Sequence, residues 1–394
     1  MAAYDYIIIG GGITGLSVGY QLSKHSSVLL LEQESHPGYH ATGRSAAVFS
    51  PFHGCDRPAL FSLSNASSDF FHQPPQGFCE HPLLKHRGVL MIAEKDKQAQ
   101  LKATYNKLLT LVPDLKFINQ ESVKEKLPAL CDEYNQNAIY DDNVYDVDVH
   151  ALQEGYLKSM RKQGAVIKTN QRVSQVTQKD NLWTVSAVSS TNEQESFQTQ
   201  VVINAAGAWA DGIAEMAGLT PVGIQPLRRS AMLIDTPEPK NATQTYQSDE
   251  WPMVVEFEEN FYIKPDAGCL LISAADETLS PPCDAQPDEL EVAYAAHYAE
   301  QAFGIPIRKV NHSWAGLRTF VEDRSPVIGY SDEKKGFFWL AGVGGYGIQT
   351  SPATGRYAAA LVMDQDVPKD ISDLGMDKTF TSPARCHYGV NKGD

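Results

Sequence analysis

The chain has 394 residues, 42% of them hydrophobic and 21% charged, and its 48 acidic against 33 basic side chains leave a formal charge of −15. That length and apolar content suit two domains with a sizeable core rather than disorder. So negative a chain, with no basic run, repels a phosphate backbone, so neither nucleic acid nor an anionic membrane is expected as a direct partner.

Residues 6–32, YIIIGGGITGLSVGYQLSKHSSVLLLE, hold an apolar strand, a glycine-rich turn, an amphipathic helix, a second apolar strand and a terminal acid. That order holds an ADP moiety. Gly10 allows the tight turn, Gly12 lets backbone N–H groups approach a pyrophosphate, and Gly15 lets the helix pack on the sheet. The helix beginning near Ile13 and Thr14 offers its unpaired amides and positive end to the diphosphate. Glu32, followed by Gln33, is placed to accept both ribose hydroxyls and to repel a 2′-phosphate, which argues against NADP. By itself the unit does not distinguish NAD from FAD.

The apolar run 6–9 is too short for a signal-peptide core, and no segment approaches the roughly 20 apolar residues of a membrane span, so a cytoplasmic protein is expected. Six cysteines without CxxC spacing read as free thiols, and eleven histidines without an HxH or HExxH cluster suggest no metal site.

After Glu32 comes a long loop of small and turn residues, SHPGYHATGRSAAVFSPFHG at 35–54. Such a stretch inside a compact domain is more often functional than filler, and Arg44, Ser45 and the small residues suit threading along a ligand. Residues 57–130 read as mostly helical, with an amphipathic helix at 98–112, and another helix follows at 150–163. The segment 165–189 alternates like hairpin strands. It leads into a buried strand at 201–204 that ends in Ala205, Ala206 and Gly207, small enough to let the backbone pack against a cofactor.

From 225 to 275 four short strands and a hairpin at 266–268 predict an antiparallel sheet. Alternation places Arg229, Ala231 and Leu233 on one face of one strand, and Tyr262 with Lys264 on one face of another. A helix at 289–303 precedes a second strand, glycine turn and helix, GFFWLAGV and GGYGIQTSPATGRYAAALVMD. The nucleotide fold is therefore assembled from both ends of the chain.

This organisation resembles the FAD-dependent D-amino-acid oxidase and glycine oxidase superfamily over essentially the whole chain. Within it, PGYHATGRSAA, GFCEHPLL, NAAGAWAD, RRSA, WPM, FYIKPDAG, WAGLR and GGYGIQTS, in that order, look most like the FAD-dependent D-arginine dehydrogenases. The resemblance implies an α/β fold: a Rossmann-like FAD-binding domain (1–54, 145–224 and 311–394) with an inserted antiparallel-sheet α+β substrate domain (55–144 and 225–310). It implies non-covalent FAD, since no cysteine stands near residues 314–318, and a hydride moved from Cα to flavin N5, giving a 2-oxo acid and ammonia.

The resemblance also assigns residues. Arg229 and Arg318 match a pair that clamps the substrate carboxylate, for which a planar guanidinium is well shaped, although Arg228 beside Arg229 could exchange roles with it. Tyr262 matches a tyrosine that hydrogen-bonds that carboxylate, and Gly345 a position whose carbonyl lies near the substrate amine. Gly344, Gly347, Ile348, Gln349 and Thr350 form the flavin turn, whose helix points its positive end at the ring edge that gains charge on reduction. Arg44, Ser45 and Ala46 match a stretch along the pyrophosphate and flavin, Val173 an adenine contact, and Ala206, Gly207 and Trp209 further cofactor contacts. Ser50, Val48, Val89, Met253 and Tyr346 are the expected substrate-pocket residues. His53 is the best titratable candidate for a base, though the reaction does not require one.

Three positions depart from the D-arginine enzymes, which carry histidine at Val48, tyrosine at His53 and, near Val89, a glutamate that holds the cationic side chain. An apolar Val89 removes that charge partner, so a D-amino acid with a neutral or apolar side chain, or a small secondary amine acid, is expected. The electron acceptor is a quinone, a dye-like carrier or oxygen. Monomeric sarcosine oxidases activate oxygen with a lysine above the flavin; Leu271 is expected there, which favours a dehydrogenase. A glycine- or sarcosine-type oxidase producing peroxide, or an FAD-binding subunit without its own substrate chemistry, are the alternatives.

Overall fold

The computed structural model describes residues 2–51, 54, 56–237 and 247–387. His53 lies outside them.

Among the described residues, eight strands form the first sheet. Ala2–Ile9 is central, parallel to Val28–Leu31 on one side and to the C-terminal half of Gln194–Asn204 on the other. Val166–Lys168 extends the parallel part, and Phe337–Ala341 joins Gln194–Asn204 from the far end of the chain, also parallel. The strands Gln171–Lys179 and Leu182–Ser189 make the expected hairpin and pair antiparallel with the N-terminal half of Gln194–Asn204. Both faces of the sheet are covered, which is why Ile7, Ile8, Leu29 and Leu30 are all buried in an unbroken apolar run. On one face pack the helices Ile13–Leu22, Val149–Lys162 and Gly347–Val362; on the other lie Trp183, Phe337, Trp339 and Ile213.

The second sheet is built on Gln225–Asp235, Cys269–Ser273, Tyr262–Asp266 and Met253–Glu256, the four strands expected there, joined antiparallel. The region expected to be mostly helical adds Val89–Ile92, and Ala138–Asp141 follows it. Val89–Ile92 runs parallel to Met253–Glu256, so the sheet is mixed rather than wholly antiparallel. A four-residue apolar run such as VLMI carries no period that separates strand from helix. The helix expected at 98–112 is Gln98–Leu108, shorter than expected, and Pro58–Ala66, Ser68–His72 and Gln120–Lys126 are also helical in this region.

The helix Glu289–Phe303 is capped by the Asp288 carboxylate on the Leu290 amide, and Ala295, Ala299 and Phe303 pack under the second sheet against Leu90, Val254 and Ile272. Two parts of the chain sit elsewhere than the expected ranges 55–144 and 311–394. Ala59, Leu63, Phe71 and Phe78 pack in the core of the first sheet, and the strand His312–Phe320 pairs with Gln225–Asp235 in the second. Among the described residues no helix is long and apolar enough to cross a membrane.

Candidate active site

At the end of Ala2–Ile9 the chain turns through Gly10, whose φ of +107° and whose contact with Ala205 leave no room for a side chain: a Cβ would stand 2.4 Å from the Ala205 carbonyl oxygen. Gly15 lies behind that turn, where a Cβ would be 2.1 Å from the Gly10 oxygen, so it sets how closely helix and strand approach and does not itself line the cavity. Gly12 differs from both. A Cβ there would meet only Thr42 Oγ1, at 3.6 Å, and Gly12 faces the cavity.

The helix Ile13–Leu22 closes its first rung with the Leu16 amide on the Gly12 carbonyl, 3.0 Å, and the Ile13 amide is taken by Thr42 Oγ1 at 3.0 Å. The amides of Thr14 and Gly15 precede the first rung and point out of the helix end. Glu32 is 7% exposed; its two oxygens accept from the Gly11 amide at 2.7 Å and the Glu34 amide at 2.8 Å. Burial pushes its carboxyl above the usual range, and the two amides only partly offset that.

A cavity of about 1240 Å³ starts here, at Glu32, Gln33, Arg172 and Val173, and passes Gly12, Thr14, Ser45 and Ala46. Ile13, Ala206, Gly207 and Trp209 also line it, and it continues to Gly344–Gly347 and onto the second sheet. Gln171 lines the first end, and its side-chain oxygen is buried with no partner among the described residues. The open cradle at Gly12, the helix-end amides, the anchored Glu32 and this orphan acceptor are what an ADP group requires, so these residues fit FAD.

At the other end the Gly344 amide donates to the Thr319 carbonyl at 2.7 Å, pinning the second glycine turn to the strand His312–Phe320. Gly344 has φ +57°, and a Cβ there would strike Phe320 at 2.4 Å. Gly345 lies against Arg318 Nη1, 3.0 Å from where its Cβ would be. The helix Gly347–Val362 follows, with Ile348 and Gln349 lining the cavity in its first turn. Gln349 ties the Ser50 loop to this helix, accepting the Ser50 amide at 3.3 Å and donating to Ser64 Oγ at 2.9 Å. Thr350 is behind the wall, its hydroxyl donated to the Tyr346 carbonyl.

The strand alternation of Gln225–Asp235 decides between the two adjacent arginines. Arg229 faces the cavity, whereas Arg228 is on the opposite side, paired with Asp288 at 2.8 Å. Arg229, Arg318 and Tyr262 are brought together as expected, with the Arg229 guanidinium 5.9 Å from the Tyr262 ring centroid. Burial, with Arg229 nearby, pushes the Arg318 guanidinium down to about 10. Two cations share one partly desolvated corner.

Two residues that sequence reasoning missed complete that corner. Glu277 accepts from Arg318 at 2.6 Å and from Arg324 at 2.8 and 3.0 Å. Burial opposes its charge, but Arg324, Arg318 and Arg229 outweigh it and hold the carboxyl below the usual range. No local sequence signal marks the pair, because a loop carboxylate and a loop arginine are ordinary surface residues until the strands meet.

The side-chain wall follows from register. Met253 pairs with Val89, and Val89 with Asp141; in the next row Tyr262 pairs with Val255, Val255 with Met91, and Met91 with Ile139. All of these line the cavity, as do Val48, Ser50 and Tyr346. Asp141, only 5% exposed, is the exception to this apolar floor; burial pushes its carboxyl up, and its Oδ1 accepts from the Asn143 amide at 2.9 Å.

Several expectations change. Arg44 lines the cavity with Ser45 and Ala46, while its guanidinium is bonded to the carbonyls of Ala285 and Ala315 and to Asp284, so its charge brackets two backbone segments. Leu271 does not line the cavity: Tyr262 pairs with Ser273, while Leu271 pairs with Lys264. Lys264 shares the Tyr262 face but is buried against Asp146 at 3.0 Å. Cys283 packs against the cluster of Ala208, Ala285, Ala315 and Leu317 and lines the cavity.

The family model for FAD-dependent oxidoreductases, DAO, matches residues 5–361. An uncharacterised oxidoreductase of Bacillus subtilis, YurR, is 25% identical over 386 residues, covering 93% of this chain and 97% of that protein. The fold is similar to the crystal structure of glycine oxidase from Geobacillus kaustophilus, with a TM-score of 0.79 and 21% identity over 96% of this chain and 99% of that one. L-proline dehydrogenase from P. horikoshii gives a TM-score of 0.77 at 21% identity, over 98% and 99%. The superfamily resemblance is thereby shown, while the narrower likeness to D-arginine dehydrogenases is carried by the quoted sequence strings alone. With a dinucleotide cradle at one end of the cavity, a glycine turn and arginine pair at the other, and a family model spanning nearly all of it, the chain belongs to the DAO family of FAD-dependent oxidoreductases.

Proposed function

We propose that the protein oxidises the Cα–N bond of a D-amino acid, with a neutral or apolar side chain, to an imino acid that water converts to a 2-oxo acid and ammonia. The observation that carries this reading is the pair of guanidiniums, Arg229 and Arg318, on the cavity wall with Arg318 against Gly345 of the flavin turn. FAD, when bound, supplies the hydride acceptor. Arg229 and Arg318 hold the carboxylate, Tyr262 donates to it, and the Gly345 region orients the amine. The amine proton is lost to solvent or by selection of the neutral amine. Val48, Val89, Met91 and Met253 give an uncharged surface for the side chain.

Anaerobic bleaching of the flavin against D-, L- and N-methyl amino acids tests this. D-methionine, D-leucine and D-phenylalanine are expected to bleach it faster than D-arginine, D-lysine or any L-amino acid. D-arginine or D-lysine far ahead would sink the neutral reading and point instead to a basic side chain reaching Asp141, the observation that favours that second reading. Rapid reoxidation in air with peroxide would assign a glycine- or sarcosine-type oxidase, in keeping with the glycine oxidase among the similar structures.

A further inference from the structure

The guanidiniums at the clamp outnumber the carboxylates, and the carboxylate among them belongs to the chain itself. Glu277 Oε1 takes Arg318 Nη2 at 2.6 Å and Arg324 Nη2 at 2.8 Å, and Oε2 takes Arg324 Nη1 at 3.0 Å. Arg229 Nη2 stands further off, 3.6 Å from Oε1. The pairing with Arg324 is two-pronged and that with Arg318 single, so Arg324 is the stronger holder.

Backbone contacts fix the segments that carry the two partners. Asp276, next to Glu277, accepts the Ser230 amide at 2.7 Å, and its carbonyl takes Arg229 Nε at 2.8 Å. Ala275, at φ +53°, is held by its amide on Ser273 Oγ, 3.2 Å. Arg324 is itself left-handed, at φ +58°, and its guanidinium lies 3.8 Å from the Phe320 ring centroid. That conformation is uncommon in non-glycine residues and costs backbone energy that the surroundings offset. A left-handed residue thus stands at Arg324 and another two residues before Glu277, in the two segments that carry an ion pair lining the cavity.

We propose that Glu277 and Arg324 are positioning residues of the carboxylate clamp. Arg324 keeps Glu277 at the edge of the site, so that Arg318 and Arg229 stay available to the substrate carboxylate; Glu277 in turn tempers their charge, so that a carboxylate product leaves. Substrate carboxylate and Glu277 compete for the same Arg318 nitrogens, and Arg324 decides the contest. This rests on the reading that the site binds a carboxylate.

The two partners then have effects of opposite sign. Arg324→Met releases Glu277 onto Arg318 and weakens carboxylate binding; Glu277→Gln removes the competitor and strengthens it. With both side chains about one-third exposed, an effect of about fivefold in each direction is expected. The test uses the FAD-loaded protein and propionate, which has the carboxylate but no amine to oxidise, with Kd from equilibrium dialysis of the labelled acid. Arg324→Met should raise Kd, Glu277→Gln lower it, and the double variant behave like Glu277→Gln. Turnover should show a raised KM with unchanged kcat for Arg324→Met.

A pair that merely stiffens the loop would weaken binding in both single variants, and that result overturns the proposal. Failure of the unaltered protein to bind propionate overturns the carboxylate reading instead, and this inference with it. Should Arg324→Met not fold, Arg324→Lys serves: a lysine cannot grip both oxygens, so a smaller rise in Kd is expected, and no rise refutes the idea.

Discussion

Arg318→Met is expected to lower kcat/KM for the preferred amino acid by roughly 30- to 150-fold, with flavin content unchanged. Removing one member of a hydrogen-bonded charge pair costs about 2–5 kcal/mol when the site is dry, and the lower part of that range, about 2–3 kcal/mol, applies because Arg318 retains 23% side-chain exposure. The effect should be larger than for Arg229→Met. Arg318 is the residue pressed against Gly345, and its Nε is buried with no partner among the described residues, whereas Arg229 Nε is already satisfied by the Asp276 carbonyl. Arg318→Lys should recover only part of the loss, since a single ammonium cannot offer two parallel donors. Steady-state kinetics at matched ionic strength measure all three. An Arg318→Met protein that keeps its flavin and stays within threefold of the parent would remove Arg318 from the clamp.

Gly12→Val is expected to leave the fold intact and abolish FAD binding, raising its Kd more than about 100-fold. The physical reason is the contrast among glycines in one turn. Gly12 sits at φ −72°, which any residue adopts, and a Cβ has space on the protein side, so the added methyls project into the cavity where a diphosphate must come close. Gly10→Ala should do the reverse, damaging the protein first. Its Cβ would lie inside contact distance of the Ala205 carbonyl at a positive φ, which costs about 1–3 kcal/mol from the backbone alone. Flavin-to-protein ratio and thermal melting of the apoprotein separate the two. A Gly12→Val protein that retains stoichiometric flavin would show that the diphosphate does not pass this turn.

Local features were legible in the chain to the extent that their cause is local. The helix Glu289–Phe303 was expected at its observed bounds because its cap and its apolar spacing lie within one segment. The hairpin at 266–268 likewise follows from Ala267 and Gly268 both taking positive φ between two strands. The ADP cradle was legible for the same reason: strand, turn, helix and acid fall within 27 contiguous residues, 6–32.

The side-chain wall of the cavity was not. Val89 was read as the end of charge at the side-chain pocket, and along the chain nothing contradicts that. Its cross-strand neighbour, Asp141, is a carboxylate 52 residues away. Glu277 and Arg324, 47 residues apart, meet only because Gln225–Asp235 pairs with His312–Phe320 and the second glycine turn closes on Thr319.

The sequence by itself determined that an ADP group is bound, that a second glycine turn faces it from the far end of the chain, and that arginines stand on an alternating strand face. Those follow from periods of 2 and 3.6 and from the few conformations open to glycine-rich turns. Only the tertiary structure decided that Arg229 rather than Arg228 faces the cavity, that Arg44 is committed to backbone carbonyls, and that Glu277 and Asp141 enter the site. Which charges meet depends on register between strands distant in sequence, and each strand's own pattern is satisfied by several registers until the whole sheet is packed.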